Sequence, residues 1–161
     1  VSLGKLMMNM ETEIKWAEVA HYYAASGIEI SLIPYTINQF MTGLVEVNKG
    51  IYTSSAFYKG GDCAYKKGTG YSTAGIGKYL PILRALEDMT QKDADEYISK
   101  FTTYQKFIGT PSAVTLALES IDHGLWRIER GGASVTHWLI SKGFDVFGLI
   151  ESGQAIRKPI G

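Results

Sequence analysis

The chain has 161 residues, 45 % of them hydrophobic and 20 % charged, a balance that supports a buried core in one domain or two closely packed small ones. Sixteen Lys and Arg offset sixteen Asp and Glu, so no global field draws the protein onto nucleic-acid phosphates or acidic lipid, and strong duplex DNA binding is not expected. The single Cys63 cannot close an intrachain disulfide, which fits a reducing compartment.

The N-terminal VSLGKLMMNM lacks the uninterrupted apolar region of a secretory signal, and no stretch approaches the ~20 apolar residues of a membrane span. These features predict a protein of the cytoplasm of whichever cell makes it, with no membrane association. A start at Val1 followed by Met7, Met8 and Met10 reads as a truncated or alternatively initiated frame, and residues 1–10 are expected to form a disordered leader.

Thr12 is placed to cap a helix whose apolar positions Trp16, Val19, Ala20 and Tyr23 share one face, with Gly27 as its stop. The period then changes to two. IEISLI at 28–33, GLVEV at 43–47 and IYTSSAFY at 51–58 read as strands, with Asn48-Lys49-Gly50 as a hairpin turn between the last two. Residues 59–78 hold six glycines and no sustained apolar period, which predicts a mobile loop dispensable for folding, broken at most by a short strand near Ala64-Tyr65. Tyr79–Leu83 resumes a strand-like run. Short strands around a glycine-rich excursion suit a small SH3-like β-barrel or a bent antiparallel sheet.

The remaining pattern is helical. Thr90 with Asp93 forms a capping pair ahead of a stripe of Ala94, Tyr97, Ile98 and Phe101, predicting a helix over about 91–101. Thr110-Pro111 opens another, with Val114, Ala117, Leu118 and Ile121 on its buried side and Gly124 at its end. Ser134 is placed to cap a shorter helix bearing Val135, Trp138 and Leu139, closed by Gly143. The expected organisation is therefore α+β: a helix plus small barrel over 11–89 and a helical subdomain over 90–161 packed on it.

Three blocks in this order, IKWAEVAHYY at 14–23, LPILRALEDMT at 80–90 and FDVFGLIESGQAI at 144–156, carry a family likeness. Together they make the chain resemble small uncharacterised proteins encoded by phages and prophages of the Bacteroidota. The chain departs from that pattern at Leu83-Arg84-Ala85-Leu86, where relatives usually read LRPL, and at Arg157, where they usually carry an acidic residue. The resemblance implies an accessory protein whose partner is a phage or host protein; it implies no reaction.

Candidate chemistry is sparse. Gly70 and Gly75 have the spacing of a phosphate loop, but Ile76 stands where lysine is required, and Gly77-Lys78 is followed by Tyr79 rather than Ser or Thr. The loop also leads toward a strand, whereas phosphate loops lead into a helix. Lys59, Lys66, Lys67 and Lys78 interleave with Tyr65 and Tyr71, a composition able to attract a phosphate backbone and stack bases; the competing reading is a solvated lysine-rich loop. Glu119 and His123, four residues apart and with Asp122 beside the histidine, have a spacing that can present two metal ligands on one helical face, but no third ligand is suggested nearby, and His21 and His137 read as structural, so no metal or cofactor is expected. Cys63 has no adjacent basic partner to make it a nucleophile.

Trp16, Trp126, Trp138, Phe144 and Phe147 could form a partner surface, but such spacing more often fills a core, and the tail from Trp138 to Ile156 is expected to be structural. Absence of a catalytic set points to binding rather than catalysis. The alternative is a weak nucleic-acid or nucleotide-ligand module using residues 59–79, and a third is a hydrolase whose residues converge only in three dimensions.

Overall fold

In a computed structural model of the chain, the described residues are 13–39, 43–47, 50–101, 114, 115, 117, 118, 121 and 133–160. Residues 1–10, expected to form a leader, lie outside them together with Thr12, Asn48-Lys49, Thr110-Pro111 and Gly124, as do Glu119, Asp122, His123 and Trp126.

The protein is α+β. Strands β1 (Glu29–Leu32), β4 (Gly50–Phe57), β5 (Cys63–Lys67), β6 (Gly70–Ala74), β7 (Tyr79–Leu83) and β8 (Ile156–Arg157) form a mixed sheet in the order β6-β5-β4-β1-β7-β8. Neighbours run antiparallel except β7 and β8, which pair in parallel through Ile82 with Ile156 and Leu83 with Arg157. β2 (Tyr35–Gln39) and β3 (Gly43–Val47) pair only with each other among the described strands.

Two expectations change here. Among the described strands no pairing joins β6 to β8, so the sheet stays open and does not close into the SH3-like β-barrel read from the sequence. Secondly, β3 pairs back to β2 instead of forward to β4, because β4 is taken up between β1 and β5.

The glycine-rich stretch 59–78 is the larger correction. It folds as the β5–β6 hairpin, in register from Cys63 opposite Ala74 to Lys67 opposite Gly70. The two-residue turn Gly68-Thr69 puts Gly68 at φ 61, the conformation that the primed hairpin turns require at their first central position. Alternation then sends Cys63, Tyr65 and Ala74 into the core and Ala64, Lys66 and Tyr71 outward.

Helix α1 (Trp16–Val19) runs directly into a 3₁₀ turn (Ala20–Tyr23), so the apolar face predicted for one continuous helix is delivered by two short pieces. Gly27 at φ 64 ends the segment, as the sequence suggests. Helix α2 (Gln91–Phe101) matches its predicted span, and its cap is reciprocal: the Asp93 amide donates to Thr90 Oγ1 at 3.2 Å and the Thr90 amide to Asp93 Oδ2 at 3.3 Å. Val114, Thr115, Ala117, Leu118 and Ile121 are helical, with Ala117 and Ile121 fully buried. Helix α3 (Ala133–Ser141) contains Ser134 rather than being capped by it.

Gly143 closes α3 at φ 80, its amide donating to Ile140 O (2.9 Å) and that of Phe144 to Leu139 O (3.0 Å), the paired bonds of a Schellman stop. One buried cluster joins Trp16, Tyr23, Ile30, Tyr79 and Leu83 to Tyr97, Trp138 and Leu139, and takes in Phe144, Val146 and Leu149 of the tail.

Two measurements follow from this packing. Replacing residues 59–78 with a short Gly-Ser connection removes Cys63, Tyr65 and Ala74 from the core, so it should unfold the protein or sharply lower its thermal midpoint, the reverse of what a dispensable loop would give. Phe144→Ala, at a fully buried position, should cost about 3–5 kcal/mol, and Phe147→Ala, at a half-buried one, clearly less, by urea denaturation.

Candidate functional site

The structure gathers only part of the lysine and tyrosine set into one surface. Lys66 and Tyr71 are cross-strand partners on the outward face of the β5–β6 hairpin, with Tyr71 72 % exposed. Lys67 stands at the strand end opposite Gly70. Lys59 lies in the β4–β5 turn and Lys78 precedes β7, both exposed. Tyr65 is turned the other way: it is 5 % exposed and its ring packs 4.9 Å from that of Tyr52, so it cannot stack a ligand base.

The hairpin is fixed from below by a polar chain inside the core. Trp16 Nε1 donates to Tyr79 Oη at 2.7 Å, and Tyr79 Oη donates to Gly61 O in the β4–β5 turn. The Gly60 amide also donates to Ala17 O of α1 at 3.2 Å. Tyr79 satisfies both neighbours with one hydroxyl, and burial pushes its pKa up.

On its outer side, β6 has no strand partner among the described residues. Its five residues, Gly-Tyr-Ser-Thr-Ala, contain no charge and no proline, and its ladder with β5 runs without a bulge. Sheets usually protect an edge with one of those devices, since an unpaired row of amides and carbonyls will accept another strand.

Groups with catalytic potential are turned to structural use. Cys63 is fully buried, and burial pushes its thiol up to about 11, away from the thiolate a nucleophile needs. Asp145 is 6 % exposed; burial raises its pKa, opposed by the amides of Phe147, Leu149 and Ile150, which donate to its carboxylate at 2.9–3.1 Å. Its own amide donates to Arg84 O at 2.8 Å, while Tyr23 Oη donates to Phe144 O at 2.7 Å. Gln154 completes the tail loop by accepting from the Trp16 amide (2.6 Å) and donating to Ile14 O (2.8 Å). The segment read as a family signature is thus a packed loop organised around one carboxylate.

Arg84 links this loop to α2. Its guanidinium lies 4.2 Å over the Phe144 ring and donates to Asp93, which also accepts from Thr90 Oγ1 at 2.8 Å. Burial by itself would raise the Asp93 carboxyl, but the bonds from Arg84 and Thr90 outweigh it and hold its pKa below the ordinary value. One turn on, Glu96 accepts from Lys142 at 2.8 Å, which lowers its pKa. Arg157, noted above as a departure from the family pattern, donates to Asp88 at 2.8 Å and so forms half of an ion pair.

Among the described residues, no three His, Cys, Asp or Glu side chains are placed to hold a metal ion, and no helix is long and apolar enough to cross a membrane. Compared with protein-family models, curated proteins and solved structures, the chain matches none.

The features not foreseen from the sequence are the edge of β6, unpaired among the described residues, and the cross-strand pairing of the candidate residues Lys66 and Tyr71. A local signal existed: Gly68-Thr69 between Cys63-Ala64-Tyr65 and Tyr71-Ser72-Thr73 has the form of a two-residue Gly-X hairpin turn.

The pH dependence of Asp93 gives a test of the Arg84 network. A carboxyl whose folded pKa is depressed stabilises the fold above the unfolded value of about 3.9 and loses that contribution as pH falls through the folded value. Asp93→Asn should therefore cost about 2 kcal/mol at neutral pH. The gap to the parent protein should narrow below about pH 4 in urea denaturation series.

Proposed function

We propose that the protein is a phage or prophage accessory protein that acts by binding a phage or host protein in the cytoplasm of a bacterial host, and that the β5–β6 hairpin is its docking element. The observation that carries this reading is the edge of β6, uncharged, regular and without a strand partner among the described residues. An extended segment of the partner would add to it as a further strand, main-chain bonds supplying affinity and side-chain contacts specificity. Lys66 and Tyr71 flank that edge on the outward face and favour a segment bearing carboxylates and an apolar or aromatic side chain. The inward engagement of Cys63 and Asp145 supports binding over catalysis.

A second reading keeps the same surface. Tyr71 beside Lys66 can stack one base and neutralise a phosphate, which suits weak single-strand binding; Tyr65, buried against Tyr52, contributes nothing to it. With a formal charge of zero, duplex binding should be negligible at physiological salt.

Affinity capture from phage-infected host lysate, run with the parent protein and with a Tyr71→Ala/Thr73→Pro variant of unchanged circular dichroism, separates these readings. A specific protein recovered by the parent and lost with the variant is the expected result. Recovery of single-stranded nucleic acid that elutes at moderate salt and depends on Tyr71 would move the assignment to the second reading, and capture of a partner indifferent to the variant would sink the docking element.

A further inference from the structure

On the sheet, toward β8 and away from β6, lies a cleft of about 270 Å³ that the docking hairpin does not touch. Glu29 and Thr53, cross-strand partners on β1 and β4, line it together with Ile82 of β7. The turn at Ser26-Gly27, the end of α3 at Ser141-Lys142-Gly143, Arg84 after β7 and Lys158 after β8 complete its wall. Three cations, Arg84, Lys142 and Lys158, face one carboxylate, Glu29, in a chain whose total charge is zero.

The acidic partners of two of these cations stand outside the cleft. Arg84 is held by Asp93 and Lys142 by Glu96, both on α2, and neither carboxylate contributes to the lining. Arg84 is therefore oriented, by Asp93 on one side and by the Phe144 face beneath it, with its second terminal nitrogen reaching Lys142 O only at 3.5 Å. A guanidinium has five donors, so most of its capacity remains for a planar or tetrahedral oxyanion. The one acid in the wall, Glu29, meets Lys158 at 3.4 Å with both side chains more than two-fifths exposed, an ion pair that gives way at little cost.

A helix C-terminus in the wall would ordinarily repel an anion, but here its carbonyls are satisfied internally. Trp138 O accepts from the Lys142 amide (3.1 Å) and Ser141 Oγ (2.6 Å), and Ile140 O from the Gly143 amide (2.9 Å) and Ser26 Oγ (2.9 Å). The serine hydroxyl protons are thereby spent, which leaves Arg84, Lys142, Lys158 and Thr53 as the donors for a ligand.

We propose that this cleft is a binding site for a small oxyanion, a phosphate- or carboxylate-bearing metabolite held by Arg84, Lys142 and Lys158. The volume is on the scale of a small-metabolite site. The site is independent of the proposed docking edge, and either can fail without the other.

The test is a ¹H–¹⁵N chemical-shift titration of the full chain with inorganic phosphate and, in a second arm, sodium acetate, at ionic strength matched with chloride. The expected result is saturable shifts at the amides of Gly27, Glu29, Thr53 and Gly143. Arg84 is built into the core network, so the variants are Lys158→Gln and Lys142→Gln/Lys158→Gln, with Lys59→Gln as a control outside the cleft. The double variant should weaken binding about tenfold or more and the control should leave it unchanged. Saturation by phosphate alone assigns the site to phosphorylated ligands, and equal or tighter saturation by acetate to carboxylates. Shifts that do not saturate, that spread away from the cleft, or that persist unaltered in a folded double variant would overturn the proposal.

Discussion

The structure depends on burying the C-terminal loop 144–155 against β7 and the first helical turns, and that burial depends on the Asp145 carboxylate. A loop in a core carries backbone donors that water cannot reach, and leaving them unpaired costs more than the apolar contacts around them return. Asp145 takes three such amides at once. It can do so because its own amide and the neighbouring Phe144 carbonyl are held by Arg84 O and Tyr23 Oη. Phe144, Val146 and Leu149 are then free to be wholly buried, and Gln154 ties the end of the loop to the backbone of Ile14 and Trp16.

That arrangement explains why segments far apart in sequence share one core. The Arg84 main chain is clamped from both sides, its amide donating to Gly143 O at 2.9 Å and its carbonyl accepting from Asp145. Lys158 then donates its amide to Leu83 O at 2.8 Å, setting β8 beside β7 in parallel. From β7 the order passes through Tyr79 to Trp16 and Gly61, and so to the start of the β5–β6 hairpin. The glycine-rich hairpin is ordered by the same core that the tail completes.

What was legible in the sequence was local. Thr90 and Asp93 sit three residues apart ahead of an apolar stripe, and the helix they announce forms over the expected span because the cap uses only those side chains and their own amides. Gly143 was legible for the same reason. The apolar tail was read correctly as core material, but the reason it folds there was not, since Asp145 acts through Arg84 and Tyr23, distant in sequence. Residues 59–78 were misread because six glycines were weighed as freedom, when Gly68 supplies a turn and Cys63, Tyr65 and Ala74 supply a period-two inward face. Strand order was not legible either: nothing local tells β3 to return to β2, or β4 to lie between β1 and β5.

Neutral net charge likewise concealed a segregated distribution. On α2, Asp93 and Glu96 stand one turn apart and reach Arg84 and Lys142, which come from β7's end and α3's end. The acids bind those cations from outside the cleft, while the cleft itself sees the cations against Glu29 alone. A helix that supplies fixed counter-charges allows positive groups to be held close together in a folded chain of zero net charge, where unscreened they would repel one another. The same pairs attach α2 to the sheet and to α3, so the charges that secure the helical half are also those that give the sheet a positive recess. Summed composition is blind to this, because a field at a site depends on which charges line it and which are turned away.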